Sequence, residues 1–446
     1  MSGAPKPTSI STKQDRIAKL AQQMPDRALM ALAHHIDTEW LKEAHRRTRK
    51  DAAPGVDGTT ARDYEQDLEG NVERLLGAAK SGTYRAPPVR RVQIPKSDGK
   101  TRPLGIPTHE DKVLQRAVAM VLEPIYEQSF HDFSYGFRPG RSPHHALEAL
   151  WRGLMNRNVS WVLDVDVQSF FDTLDHQICR DLLSKRVSDG VITRLVGKWL
   201  NVGVLEGGVV RRSASGTPQG GVISPMLANI YLHEVLDEWG VRDVAPRLRG
   251  QAFLIRYADD FVVCFEHEDD ARKVQTVLPK RFERYGLRLH PEKTRLVQFQ
   301  RPQDDERPPS GPGQKRTFDF LGFTHHWGKS KKGTPVVQRS TMRARFSRTV
   351  KAIADWLRRH IHEPLATQAK QIAAKLRGHD AYFGITGNAH ALKSLRFAIE
   401  RVWWRRLCRR SQKGYVRWEH FYRVILTRFP MPAPRVVHSV YRSAKR

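Results

Sequence analysis

The amino-acid sequence predicts an α+β fold. Two apolar runs, residues 252–255 and 261–265, flank a short turn and read as strand, turn, strand. A third run, 161–167, alternates apolar residues with Asp164 and Asp166, the period of a strand with one face in the core. Most of the remaining chain carries apolar residues at helical spacing, and beyond Gly333 the pattern is expected to be wholly helical.

In chain order, residues 1–30 are expected to form a loose tail, with helical patterning setting in near Gln14 and running to Trp40-Leu41. Ala53-Pro54-Gly55-Val56-Asp57-Gly58 stops that pattern. A second helical stretch covers 60–80. Residues 89–94 and 101–106 then read as strands joined by the turn at Lys96-Ser97-Asp98-Gly99. Helices are expected over 111–130, 143–155, 174–187, 191–200 and 223–239, and the last of these follows the rigid turn Ser215-Gly216-Thr217-Pro218-Gln219-Gly220-Gly221. Residues 301–316 read as an exposed Pro/Gly-rich loop between strands near 296–299 and 318–323. The expected segments are a tail (1–30), an N-terminal extension with further mixed structure (31–135), a central region holding the acidic strands (136–330) and a helical basic region (331–446).

A chain of 446 residues with 39% hydrophobic content can bury a substantial core. Its net charge of +29 favours a polyanionic partner, because so many cations repel one another unless phosphates neutralise them. Residues 331–446 hold 27 Lys/Arg against 5 Asp/Glu and so carry +22 of that charge. No apolar run reaches the length of a spanning helix and the N-terminus has no signal-peptide core, so a soluble protein acting in the cytoplasm without a membrane is expected. Cys179, Cys264 and Cys408 are odd in number and widely spaced, which argues against a disulfide framework. The adjacent pairs His34-His35, His144-His145 and His325-His326 point in different directions and are assigned no chemistry.

Asp259-Asp260 sits at the tip of the predicted hairpin, where two carboxylates repel unless a cation lies between them. The other acidic pairs lack apolar runs on both sides: Asp269-Asp270 reads as a helix cap and Asp304-Asp305 as a solvated pair. Asp164 and Asp166 share one face of their strand. If that strand lies beside the hairpin, three carboxylates converge and can hold two divalent cations, the arrangement of in-line phosphoryl displacement.

With Tyr257-Ala258-Asp259-Asp260, Asp166-Val167-Gln168-Ser169-Phe170-Phe171-Asp172 and Thr217-Pro218-Gln219-Gly220-Gly221 in this order, the chain resembles the reverse transcriptases of the group II intron maturase family. The run Ile94 to Pro107, the block Gly136-Phe137-Arg138-Pro139-Gly140-Arg141, residues 287–293, Phe320-Leu321-Gly322-Phe323 and the segment 376–384 extend the resemblance over roughly residues 30–440. It implies a right-hand polymerase with fingers, a palm with an antiparallel sheet, and a helical thumb/maturase domain. The activity implied is that of an RNA-directed DNA polymerase, a nucleotidyltransferase using two Mg2+ ions.

By that resemblance Asp166, Asp259 and Asp260 ligate the two ions, with Asp164 the rival on the first strand. Phe171 selects deoxyribonucleotides and Phe170 is core. Lys96 and Arg102 grip the triphosphate, which suits an ammonium and a bidentate guanidinium. Gln219 packs against the nascent base pair, Arg138 and Arg141 touch template backbone, and Lys293 either supports the metal region or is an ordinary surface lysine. In the basic region Leu395, Ile399, Trp403 and Leu407 form one row and Arg401, Arg405 and Arg409 a parallel one, so that one face packs and the other meets phosphate. Implied partners are group II intron RNA, an RNA template with a DNA primer, deoxynucleoside triphosphates and target DNA, in a bacterial cytoplasm with nucleoid association during integration. The implied role is RNA splicing and mobility of the element. A domesticated role in phage defence or diversity generation, and a non-enzymatic splicing cofactor, are the competing readings. The absence of a Cys-rich H-N-H segment after residues 434–441 leads to the expectation that second-strand cleavage lies outside this polypeptide.

Overall fold

The computed structural model describes residues 9–95, 101–206, 209–211, 216, 220–302, 316–330, 332–411 and 414–439. The strands, in chain order, are β1 (Val89–Pro95), β2 (Thr101–Ile106), β3 (Trp161–Asp166), β4 (Val204–Glu206), β5 (Val209–Arg211), β6 (Ala252–Tyr257), β7 (Asp260–Phe265), β8 (Arg295–Gln298), β9 (Phe318–Phe320), β10 (Phe323–Lys329) and β11 (Pro335–Thr341). Helices take up most of the rest, so the α+β expectation holds. Two compact units result, one of Met1–Ala146, Val165–Val263 and His267–Arg295, the other of Leu147–Asp164, Cys264–Glu266 and Leu296–Arg446.

In the first unit the helix His109–Tyr126 is buried along nearly its whole circumference. Its start is fixed by Thr108, whose hydroxyl accepts from the Asp111 N–H. Helices Ile10–Gln23 and Thr38–Arg47 pack on it, the second through a hydrogen bond from the Trp40 indole to the Ala117 carbonyl at 2.9 Å. The expected loose segment 1–30 therefore contains a helix: Ser9 caps it and Ile17 and Ala21 are buried, anchorage that composition alone conceals. Asp111 is buried and accepts from the Trp199 indole at 2.7 Å, the Gln115 amide at 2.9 Å and the Tyr84 hydroxyl. Burial pushes its carboxyl up to about 6 despite those donors. A four-stranded sheet of order β2-β1-β4-β5 lies in the same unit, with β1 antiparallel to β2 and parallel to β4.

The acidic hairpin forms as expected. Strands β6 and β7 belong to a sheet of order β6-β7-β3-β8, and between them Ala258 adopts φ +58°, a left-handed conformation that a non-glycine residue holds only when its surroundings impose it. Arg256 imposes it. This side chain is fully buried on β6; its Nη1 donates to the Ala258 carbonyl at 3.2 Å and to Asn229 Oδ1 at 3.0 Å. Its other edge makes a two-pronged pair with Asp237, Nε to Oδ1 at 2.8 Å and Nη2 to Oδ2 at 2.5 Å. Burial, the largest single influence, would raise the Asp237 carboxyl, but the Arg256 guanidinium and the His233 imidazole together outweigh it and hold the acid below its usual range. Asp237 lies in a π-helical turn, His233–Glu238, that continues the helix Ser224–Leu232; the single helix expected over 223–239 is thus wider in its second half.

In the second unit β9, β10 and β11 form an antiparallel sheet of order β11-β10-β9. The strand β11 corrects the expectation of purely helical structure beyond Gly333: Val337, Arg339 and Thr341 alternate inward and pair with β10, which tertiary contact alone could supply. Helices Arg343–Arg359, Leu365–Phe383 and Ala389–Leu407 then enclose a core of Ile353, Leu357, Ile372, Leu376, Leu395, Ile399 and Trp403, as the apolar row predicted. The Trp403 indole donates to buried Gln368 at 2.8 Å, whose amide in turn satisfies the carbonyls of His360, Ile361 and Glu363. Asp270, read as a helix cap, instead accepts the N–H groups of Arg249 and Gly250, fixing the approach to β6 in the first unit.

The Asp237 and Arg256 pair yields a stability test. Asp237→Leu strands a buried guanidinium and is expected to cost about 3–5 kcal/mol, read as a fall in Tm or denaturant midpoint. Adding Arg256→Met to that variant should recover most of the loss; an unrecovered double variant would mean that the pair is not the source of the cost.

Candidate active site

At the far end of the acidic sheet the Ser160 N–H donates to the Phe265 carbonyl at 2.8 Å. The start of β3 therefore meets the end of neighbouring β7, the strands run antiparallel, and Asp166 at the end of β3 lies at the same end as Asp259 and Asp260. All three carboxylates are half-buried. Asp164 is half-buried too and shares their strand face, but it stands one pleat repeat, about 7 Å, back from that end. On the other flank the Asp166 carbonyl accepts from the His290 N–H at 2.8 Å, and Val167 bridges Leu289. The turn that follows carries Lys293, whose ammonium donates to Asp166 Oδ2 at 2.8 Å. Of the two readings of this lysine, the geometry matches the one beside the acids.

The acidic turn is backed by a loop of the same unit. The Cβ of any residue replacing Gly136 would lie 2.3 Å from the Ala258 nitrogen, so this position requires glycine. The Gly136 carbonyl accepts from Asn229 Nδ2 at 2.7 Å, and the Tyr135 N–H donates to the Arg256 carbonyl at 2.8 Å. Next to it Phe137 has φ +57° and a 54% exposed ring whose centroid is 6.3 Å from that of Tyr257. Sequence reasoning missed Arg256, Asp237, Asn229 and Phe137. A single arginine inside an apolar strand did signal a buried charge in need of a partner, but Asp237 and Asn229 are remote in sequence.

Phe170 is buried and Phe171 half-buried, the division expected, although they sit in a short helix, Phe170–Thr173, entered through Ser169 at φ +48°, and not on a strand. The Gly216 N–H donates to the Leu174 carbonyl at 2.8 Å, and a Cβ at Gly216 would lie 2.8 Å from the Asp172 carbonyl oxygen. At Gly220 a Cβ would meet the Gly105 carbonyl oxygen at 2.6 Å, so the end of that turn packs against β2. Gln219 and Lys96 fall outside the described residues. The Arg102 backbone is in β2 opposite Ile94, and its side chain lies outside what is described.

Arg138 requires a correction. Its side chain is 3% exposed and its guanidinium is committed to Glu127, at 2.8 and 2.9 Å, and to the carbonyls of His131 and Ser134. It holds a loop together and is sealed from a template backbone. Arg141 is paired with Asp132 at 2.7 Å and covers the Tyr135 ring. In the other unit Arg401 and Arg405 are exposed on the helix face opposite Trp403, whereas Arg409, expected in the same row, is exposed in the turn just past the helix end at Leu407.

Three oxygen-donor carboxylates suit a hard cation such as Mg2+, and the Lys293 ammonium on Asp166 is a cation already drawn to them. Any metal bound there competes with that ammonium. Lys293→Met is therefore expected to lower the Mg2+ concentration needed for half-maximal thermal stabilisation by up to about fivefold, the range of an exposed ion pair. An unchanged or raised midpoint would show that the lysine does not compete.

The family model for reverse transcriptase (RNA-dependent DNA polymerase) matches residues 94–325, more than half of the chain. Protein YkfC of Escherichia coli is 38% identical over 57% of this chain and 75% of its own length. The group II intron-encoded protein LtrA of Lactococcus lactis is 37% identical over 50% of this chain, which spans 37% of that longer protein. The nuclear intron maturase 1 of Arabidopsis thaliana is 31% identical over 20% of this chain and 12% of its own. The matched region contains the whole acidic sheet end, from Asp166 through Asp259-Asp260 to Lys293, and on this agreement of sequence and geometry the chain belongs to the reverse transcriptase family, among the group II intron reverse transcriptase/maturases.

Proposed function

We propose that this chain copies RNA into DNA by two-metal nucleotidyl transfer and also binds its group II intron RNA to assist splicing and mobility. The observation that carries the reading is the gathering of Asp166, Asp259 and Asp260 at one end of one antiparallel sheet. On this reading the sheet is a palm, the β1–β2 hairpin belongs to the fingers, and the helices after β11 form the thumb/maturase domain. Asp166, Asp259 and Asp260 would hold the ions, which when bound lower the pKa of a primer 3′-hydroxyl and neutralise charge on the triphosphate.

The chain's own residues do the positioning. Arg256 fixes the turn so that Asp259 and Asp260 are presented together, and Lys293 balances Asp166 while no metal competes. Phe171, half-buried in the short helix that follows the Asp166 strand, would close off the space that a 2′-hydroxyl needs, while Phe170 packs on Tyr231 beneath it. Lys96, Arg102 and Gln219 are assigned to the triphosphate and the nascent base pair by family resemblance. Arg401 and Arg405 lie exposed on the helix Ala389–Leu407, whose opposite face is packed, and exposed Arg409 follows in the turn after it, an array that suits contact with RNA phosphates. No helix among the described residues is long and apolar enough to cross a membrane.

Primer extension on an RNA template with a DNA primer, Mg2+ and deoxynucleotides tests the polymerase reading. Asp259→Ala is expected to lose at least about a thousandfold in rate, several kcal/mol of transition-state stabilisation, with template-primer binding retained. Full activity in that variant would remove the metal assignment. Phe171→Ala should raise ribonucleotide incorporation by about tenfold or more, the discrimination a filled pocket provides. Unchanged sugar selectivity would place the gate at another residue.

A further inference from the structure

A second cluster of metal-binding side chains stands apart from the acidic sheet end, and the family reading gives it no task. His131, His233 and Glu238 offer one ligand atom each, all within 4.8 Å of one another. His131 Nε2 is 2.9 Å and His233 Nε2 3.6 Å from Glu238 Oε1. Zinc bound tetrahedrally with bonds near 2.1 Å spaces its ligand atoms about 3.4 Å apart, so small side-chain adjustments would seat an ion.

The backbone around the cluster brings the ligands together. In an α-helix residues five apart point about 140° away from each other. The π-helical turn His233–Glu238, built on wider i to i+5 bonding, turns His233 and Glu238 to one side. His131 comes from the loop after His109–Tyr126, where its carbonyl accepts from buried Arg138 Nη1 at 2.6 Å and its ring stacks on Phe133, with centroids 4.9 Å apart.

The surrounding groups also match a metal site. Arg242 Nε takes the other oxygen, Glu238 Oε2, at 2.6 Å, which leaves Oε1 facing the two imidazoles. His233 Nδ1 is buried without a hydrogen-bond partner and lies 3.7 Å from Asp237 Oδ2. A metal on Nε2 would fix the tautomer with the proton on Nδ1, aimed at that carboxylate, the outer-shell arrangement typical of metal-bound histidine. Asp237 is the same acid that anchors Arg256 behind the acidic turn.

We propose that His131, His233 and Glu238 bind a zinc ion, with water in the fourth position, and that this ion braces the loop and the π-helical turn behind the acidic hairpin. Two imidazoles and a carboxylate favour zinc over Mg2+, which prefers oxygen donors. The His131 side chain is 28% exposed, so an ion can reach the site from solvent.

The test uses the full chain, stripped with chelator and held in excess Mg2+ so that oxygen-donor sites are filled. Zn2+ uptake is then counted by native mass spectrometry, Co2+ is added separately for its visible spectrum, and Tm is recorded with and without Zn2+. About one Zn2+ per chain, a tetrahedral Co2+ spectrum and a raised Tm are expected. His131→Gln, in a half-exposed loop and checked for folding by circular dichroism, and His233→Gln should each abolish uptake and the Tm rise. Asp259→Ala should keep both, which separates this site from the acidic one whatever the outcome for polymerisation. Absence of stoichiometric uptake by the wild-type chain, or uptake retained in folded His131→Gln, overturns the proposal.

Discussion

A guanidinium with no access to water sits directly behind the acidic turn, and the geometry of the site depends on it. Arg256 is charged and fully buried, so it must be neutralised and hydrogen-bonded where it stands. Asp237 neutralises it, Asn229 takes one of its remaining protons, and the Ala258 carbonyl takes another. The last bond holds a left-handed residue in the turn between β6 and β7, the conformation that sets Asp259 and Asp260 at the mouth of the sheet. The same Asn229 holds Gly136 against the turn, so three chain segments converge on one side chain.

In front of the turn the constraint is electrostatic in the opposite sense. Asp166, Asp259 and Asp260 concentrate negative charge that a folded protein tolerates only with cations near, and Lys293 is placed to serve. A cationic anchor behind and an anionic mouth in front give the turn a fixed position and a charge distribution that suits the divalent ions of the proposed reaction. The proposed zinc site would extend the rear support by one more shell, because His233 and Asp237 are neighbours on the same π-helical turn.

The legibility of the site followed the locality of its interactions. The strand carrying Asp164 and Asp166, the hairpin at Asp259-Asp260 and the apolar row ending at Leu407 were all readable, because each is a periodic pattern within one element. Phe170 and Phe171 divided between core and surface as read, though through a short helix. Arg138 was misplaced because a charged residue in a Gly/Pro loop reads as exposed, whereas Glu127 and two carbonyls draw it inside. The helix at Ile10–Gln23 was read only from about Gln14, inside a segment otherwise taken as loose, and the strand β11 was missed because pairing with β10 and not its own pattern makes it a strand.

The sequence by itself determined the family, the identity of the acidic residues and the strand faces on which they lie, since motif and alternation are local properties. Only the tertiary structure decided that Asp166 lies at the same sheet end as Asp259 and Asp260, that Lys293 is bonded to it, and that Arg256, Asp237 and Asn229 lock the turn. It also brought His131 to His233 and Glu238, more than a hundred residues away. The physical reason is common to all of these: a buried or clustered charge fixes the need for a partner, and the packing of remote segments determines which residue meets it.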